Sequence, residues 1–217
     1  MDFQLPRELS DIPILIEQIF SQFDGYIPDD PNREAVIYFL FRIIILIWIV
    51  GILNFLSKGS LNGLGIKPRN IGGLLGIICA PLIHSPFALG DKPTLKHLQD
   101  NTLPFLFLGI LVLFLGSHAF WLVTVSGVFI GGFLTWLLGN ENNVQVGLSG
   151  VIFCYAGFLL LSGWFEQNWL RLGLSLSVLV FYPKEIFSGL KNQGKLFGFL
   201  TGAVVAILGY WPLLPEF

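Results

Sequence analysis

Three clusters of polar residues within apolar sequence have types and spacings suited to chemistry. The first is Gly-Leu-Ser-Gly at residues 147–150, where glycines flank Ser149 and allow backbone amides to approach a reacting carbonyl, as an oxyanion site requires. It is not the nucleophile elbow of soluble hydrolases, because Val151 stands where that motif needs its second glycine. Small residues at this spacing are also typical of close helix packing. A nucleophilic serine and a packing motif are therefore both open interpretations.

A histidine and an asparagine form the second cluster. His97 and Asn101 are four residues apart, so both side chains project from one face of a helix. Together they can donate two hydrogen bonds to a developing oxyanion. The alternative is a hydrated pair at a helix end, with no part in chemistry.

The third cluster is a glycine stripe that contains one lysine. Gly194, Gly198 and Gly202 recur at every fourth residue and line one face of a helix, which permits very close contact with a neighbouring helix. Lys195 is the charged residue within this last apolar segment. The pattern predicts a helix-packing face formed by the glycines, with Lys195 next to the first of them.

The composition places these clusters in a membrane. Of the 217 residues, 54% are hydrophobic and 12% are charged, whereas an average soluble domain carries about 25% charged residues. This excludes a soluble globular enzyme. Residues 101–140 hold no charge, and one membrane span needs about 20 apolar residues. We predict an all-α polytopic membrane protein.

The apolar segments predict six transmembrane helices, at about residues 36–56, 97–115, 119–139, 147–164, 168–182 and 194–213. Residues 116–118 are the expected turn between the second helix and the third. The first loop, residues 59–96, holds too many glycines and prolines for one continuous helix. We expect it to be half-embedded in the membrane and packed against the bundle.

Residues 1–34 form a separate acidic extension ahead of the membrane domain at residues 35–217. An apolar helical face within the extension predicts a short amphipathic helix, which lies on the membrane surface or docks on the rest of the protein. The residues of that face are Ile12, Leu15, Ile16, Ile19, Phe20 and Phe23.

Several classes of ligand are not expected. The net charge of −2 argues against nucleic acid as a partner. Cys79 and Cys154 lie in apolar sequence, so we interpret them as small core residues and not as a disulfide or a metal pair. We expect no metal and no cofactor. The acidic start of the chain also gives no sign of a secretory signal.

In their order and helix placement, the three clusters resemble the rhomboid family of intramembrane serine proteases, of the prokaryotic type. The resemblance runs from Val36 to about Gly209 and includes six helices, the half-embedded first loop, His-x-x-x-Asn, Gly-x-Ser-Gly and the glycine-striped sixth helix. It implies that Ser149 occupies the nucleophile position. It also implies that His97 and Asn101 form the oxyanion site together with the serine amide.

The resemblance assigns further residues around the serine. Phe153 matches the aromatic position that packs against the catalytic base, and His84 matches a histidine in the first loop. Gly147 and Gly150 are the glycines of the binding site around the serine. The implied substrates or partners are transmembrane segments of other membrane proteins, and the implied location is multi-pass in the lipid bilayer of a prokaryotic-type cell membrane or an internal membrane.

One position departs from the family pattern. Rhomboids carry their general base as a histidine on the sixth helix, whereas this sequence has Lys195 there. We expect a proteolytically impaired protein that binds transmembrane helices. An active protease with a Ser149–Lys195 dyad is the alternative, and it requires burial to shift the lysine toward its neutral form. A small transporter or channel is an alternative of another class, although no inverted repeat supports it.

Overall fold

The structure is a computed structural model that describes residues 12–22, 29–87, 93–166, 169–181 and 190–209. Within these residues the regular structure is helical, apart from one isolated β-bridge between Ile66 and Gln145. The longer helices are α1 (Ile12–Ser21), α2 (Arg33–Leu56), α3 (Lys96–Leu113), α4 (Ser117–Leu138), α5 (Ser149–Glu166), α6 (Trp169–Phe181) and α7 (Gln193–Gly209).

Helices occupy the apolar segments of the sequence, which confirms the all-α fold class. In the described part of the chain, α2 and α4 are long and apolar enough to cross a bilayer by length and composition. The predicted fifth and sixth spans correspond to α6 and α7. Their predicted ends at residues 168, 182 and 210–213 lie outside the described residues.

The turn between α3 and α4 falls where glycine is required. Gly116 has φ +108°, a left-handed conformation that glycine adopts without a steric penalty. The amide and the hydroxyl of Ser117 both donate hydrogen bonds to the carboxylate of Asp30, the hydroxyl at 2.9 Å. Asp30 therefore caps the first turn of α4 and connects it to the start of α2.

Short helical turns make up the loop between α2 and α3, in keeping with its many glycines and prolines. They are Ser60–Leu64, Ile71–Gly73, Gly76–Cys79 and Ala80–Leu82. Arg69 fastens the loop to α4, because its Nη1 donates to the carbonyl oxygens of Leu137 at 3.2 Å and Gly139 at 2.9 Å. In the opposite direction, Trp136 Nε1 of α4 donates to the carbonyl oxygen of Asn70 in the loop at 2.8 Å. The loop and α4 therefore each donate hydrogen bonds to the other.

Helix α5 lies at the centre of the protein and packs most extensively against α7. Cys154 and Tyr155 are fully buried. A Cβ at Gly198 of α7 would overlap the carbonyl oxygen of Gly150, and one at Gly202 would overlap that of Cys154. The two helices therefore meet backbone to backbone along the glycine stripe.

Helix α1 docks on the rest of the protein. Phe20 is fully buried and its ring stacks on Phe114 with 4.2 Å between centroids. The guanidinium of Arg33 lies 4.7 Å from the centre of the Phe20 ring. Ile16 is also buried, while Ile19 of the predicted apolar face is partly exposed. Phe23, the last residue of that face, lies outside the described residues.

Candidate functional site

Ser149 is the first residue of α5. The helix begins where the carbonyl oxygen of Leu148 accepts hydrogen bonds from the amides of Val151 at 3.0 Å and Ile152 at 3.1 Å. Within the described part of the chain, the amides of Ser149 and Gly150 have no hydrogen-bond acceptor. They are the free donors that every helix N-terminus presents, and they can bind an oxyanion or a carbonyl oxygen.

A cavity of about 40 Å³ opens beside Ser149. This volume has room for more than one water molecule. Its walls come from the start of α5, the first loop, the start of α7 and a π-helical turn of α4 at Gly127–Gly131. The polar side chains that line it are those of Thr135, Gln145, Ser149 and Asn192.

His97, in the first turn of α3, lies over Gly147. A Cβ at Gly147 would stand 3.2 Å from His97 Cε1 and 3.5 Å from Nε2. Gly147 also has φ +109°, a conformation that L side chains rarely adopt. The backbone conformation thus requires glycine two residues before the serine, and the neighbouring imidazole leaves little room for a side chain there.

His84 of the first loop lies in the same place. It is 3% exposed, and its ring centroid is 5.4 Å from that of His97. Its Nε2 accepts a hydrogen bond from the amide of Leu148 at 3.4 Å. Burial, with the His97 ring beside it, lowers the pKa of His84 to about 3, so the imidazole is the neutral acceptor that this contact needs.

Asn101 lies one turn along α3 from His97 and is buried. Its Nδ2 donates to the carbonyl oxygen of His97 at 2.9 Å, within its own helix. Asn101, His84 and Leu148 share the lining of a small cavity of about 10 Å³. The asparagine therefore lies near the residue before Ser149, while one of its donors is held by its own helix.

Lys195, in the first turn of α7, extends along α5. Its Nζ lies 5.4 Å from the centre of the Phe153 ring, one helical turn beyond Ser149. Its backbone amide donates to Asn192 Oδ1 at 3.3 Å. The face of an aromatic ring attracts a cation, so the ring stabilises the ammonium form of the lysine.

The structure places the predicted site residues around one end of α5, with His97 and Asn101 from α3 and Lys195 from α7. Sequence reasoning missed Asn54, which is fully buried and hydrogen-bonded to the loop at His84. A polar residue in the apolar run of α2 was the available signal. Among the described residues, no group of three or more His, Cys, Asp and Glu side chains could hold a metal.

Known proteins resemble this chain over most of its length. Residues 94–212, more than half of the chain, match the Rhomboid domain family. Uncharacterized proteins of Mycobacterium tuberculosis and Mycobacterium bovis are 33% identical over 177 residues, which cover 75% of this chain and 70% of theirs. An uncharacterized protein of Mycobacterium leprae is 30% identical over 204 residues, covering 85% of this chain and 77% of its own.

Proposed function

This chain belongs to the rhomboid family of membrane proteins, and on that premise we propose that it is a pseudoprotease, which binds transmembrane segments of other membrane proteins and cleaves them poorly or not at all. In this proposal α2 to α7 all cross the bilayer, and the loop between α2 and α3 is half-embedded in it. The site at the start of α5 keeps the capacity to bind and has lost an efficient base.

Exposed apolar side chains support the membrane arrangement. On α2, Ile45 is 61% exposed and Ile49 is 52% exposed, and on the first loop Ile71 reaches 84%. Phe129 and Ile130 of α4 are similarly exposed. Lipid is the solvent in which such faces are stable without a protein partner.

The loss of activity rests on the contact between Lys195 and Phe153. A base for Ser149 must accept a proton, so a lysine must first be neutral. With Nζ 5.4 Å from the ring centre, Phe153 stabilises the charged form instead. A serine without a working base loses most of its nucleophilicity.

Binding rests on groups that need no base. The unbonded amides of Ser149 and Gly150, in the described part of the chain, are donors for a carbonyl oxygen of an entering segment. His97 stands beside them over Gly147. The cavity next to Ser149 adds a partly polar recess.

A Ser149–Lys195 protease is the second candidate, because the lysine side chain already lies along α5 one turn from the serine. This candidate requires the flexible lysine side chain to rotate so that Nζ leaves the Phe153 ring and reaches Ser149. That movement gives up the cation–π contact and requires the lysine to be a neutral amine. A higher pH favours the neutral amine and therefore the movement.

Reconstitution with a fluorescent model transmembrane segment tests the proposal. Energy transfer from a donor on the protein measures binding, and gel analysis of the same vesicles measures cleavage. We expect binding that the unlabelled segment competes away, and no cleavage. Cleavage by the wild type that Ser149→Ala abolishes would establish the protease instead, and a complete lack of binding would contradict both candidates.

A further inference from the structure

A buried hydrogen-bond network at the end of α2 lies beside the site without belonging to it. Asn54, two residues before the last residue of the helix, is fully buried. Its Nδ2 donates to the carbonyl oxygen of His84 at 3.0 Å and to Asn62 Oδ1 at 2.9 Å, while its Oδ1 accepts from the amide of Leu61 at 2.9 Å. Both donors of the side-chain amide and its acceptor oxygen are thus bound to the first loop.

The network extends further into the loop. Asn62 Nδ2 donates to Ser85 Oγ at 3.1 Å, so the residue after His84 is held as well. Two distant parts of the loop, residues 61–62 and 84–85, are therefore joined both directly and through Asn54. A hydrogen-bond network centred on a buried amide such as Asn54 fixes a single arrangement of the groups that it joins.

His84 transmits this arrangement to the site. Its backbone carbonyl is held by Asn54, and its imidazole Nε2 accepts from the amide of Leu148, the residue before Ser149. Leu148 in turn provides the carbonyl oxygen that begins α5. A continuous series of contacts thus joins the end of α2 to the helix start that carries Ser149.

We propose that Asn54 is a positioning residue: through His84 it holds the first loop against Leu148 and so fixes the start of α5 beside the cavity. This rests on the proposed function only in that the site at Ser149 is the one being positioned. Asn54 itself touches neither Ser149 nor the cavity beside it.

Histidine NMR of the full-length protein in nanodiscs tests the proposal directly. The chain has 3 histidines, so labelled imidazole signals are assigned by His97→Gln and His118→Gln. In the wild type the buried His84 ring, which lies beside the His97 ring and the Leu82 backbone and accepts from the Leu148 amide, stays neutral through its ordinary titration range near pH ~6.5. In Asn54→Leu we expect the released loop to let His84 titrate near that value, a rise of more than about one pH unit.

Two further variants separate positioning from stability. Tyr155→Phe removes the hydrogen bond between the fully buried Tyr155 side chain and Thr124, at 2.7 Å and more than one turn beyond Ser149 on α5, and we expect it to leave the His84 signal unchanged. Asn62→Ala removes only the outer part of the network and serves if Asn54→Leu does not fold; we expect a smaller rise in the His84 titration. A His84 titration that is the same in the wild type and in the folded Asn54 or Asn62 variant would overturn the proposal.

The measurement requires neither cleavage nor a bound segment. Failure of the wild type to bind transmembrane segments would contradict the proposed function and leave the His84 result standing. An unchanged His84 signal would contradict the role of Asn54 and leave binding at Ser149 unaffected.

Discussion

Gly198 of α7 lies directly against the backbone of Gly150, the residue after Ser149. No side chain fits between the two helices here, because a Cβ at Gly198 would overlap the Gly150 carbonyl oxygen. Lys195 is one turn earlier on the same helix. The place of the lysine relative to Ser149 is therefore set by contact between two backbones.

Replacing Gly198 by leucine should destabilise the protein strongly. Overpacking a close contact typically costs about 1–3 kcal/mol in the free energy of unfolding, and here the obstacle is backbone, which cannot rotate away. Gly173→Leu is the matched control, since a Cβ at Gly173 of α6 meets nothing within 4 Å. Thermal unfolding in detergent should show a large loss for Gly198→Leu alone; equal melting curves would mean that the stripe does not pack as described.

Asp30 should make stability depend on pH in the acid range. Burial alone would raise its pKa, but hydrogen bonds from the Ser117 and Asn32 amides and the Ser117 hydroxyl, with the Arg33 charge nearby, lower it below the usual 3.8. The carboxylate therefore stabilises the folded state above that value, and the contribution is lost as pH falls through the lower folded pKa.

Asp30→Asn isolates this effect from other acids. We expect the wild type to melt at a higher temperature than Asp30→Asn at about pH 6, and the difference to shrink at about pH 3. A difference that is the same at both values would show that the charge of Asp30 does not contribute.

Arg69 should stabilise the folded protein mainly through its hydrogen bonds to the carbonyl oxygens at the end of α4, and less through its ion pair with Glu141. Its pair with Glu141 is exposed, with side chains 44% and 63% accessible, and such pairs contribute about 0–1 kcal/mol. Its bonds to Leu137 and Gly139 satisfy the end of α4. We expect Arg69→Ala to lower the free energy of unfolding by roughly 1–2 kcal/mol and Glu141→Ala by under ~0.5 kcal/mol; the reverse order in denaturant titrations would contradict this.

The helices and the glycine contact could be predicted from the sequence because both depend on local pattern. Uncharged apolar runs fix where helices form, and the spacing of Gly194, Gly198 and Gly202 fixes one packing face. The helix breakers of the first loop likewise predict that it is not one continuous helix.

The environment of the site could not be predicted in the same way. Asn54 and His84 are 30 residues apart, so their hydrogen bond depends on how the loop folds back. The hydrogen bond from Asn101 to its own helix and the cation–π contact of Lys195 depend on side-chain conformation. The three site clusters were recognised from residue type, but which atoms they present to one another is a property of the tertiary structure.

Asn101 should contribute to catalysis only where a base is present. In a Lys195→His background, we expect Asn101→Ala to lower cleavage about 10²–10³-fold, as loss of an oxyanion donor does. In the wild-type background the same change should affect only stability or binding of a transmembrane segment. Loss of folding in both backgrounds, seen by size-exclusion chromatography, would make Asn101 structural.

The most direct measurement is cleavage of a model transmembrane substrate by the Lys195→His variant. Proton transfer by a positioned base contributes about 10²–10⁴-fold in rate, so the variant should cleave where the wild type does not, and Ser149→Ala in the same background should abolish it. Cleavage by the wild type that rises with pH and is stopped by Lys195→Ala would contradict this account and identify lysine as the base. A Lys195→His variant as inert as the wild type would also contradict it, because the missing base would then not be what separates this site from an active one.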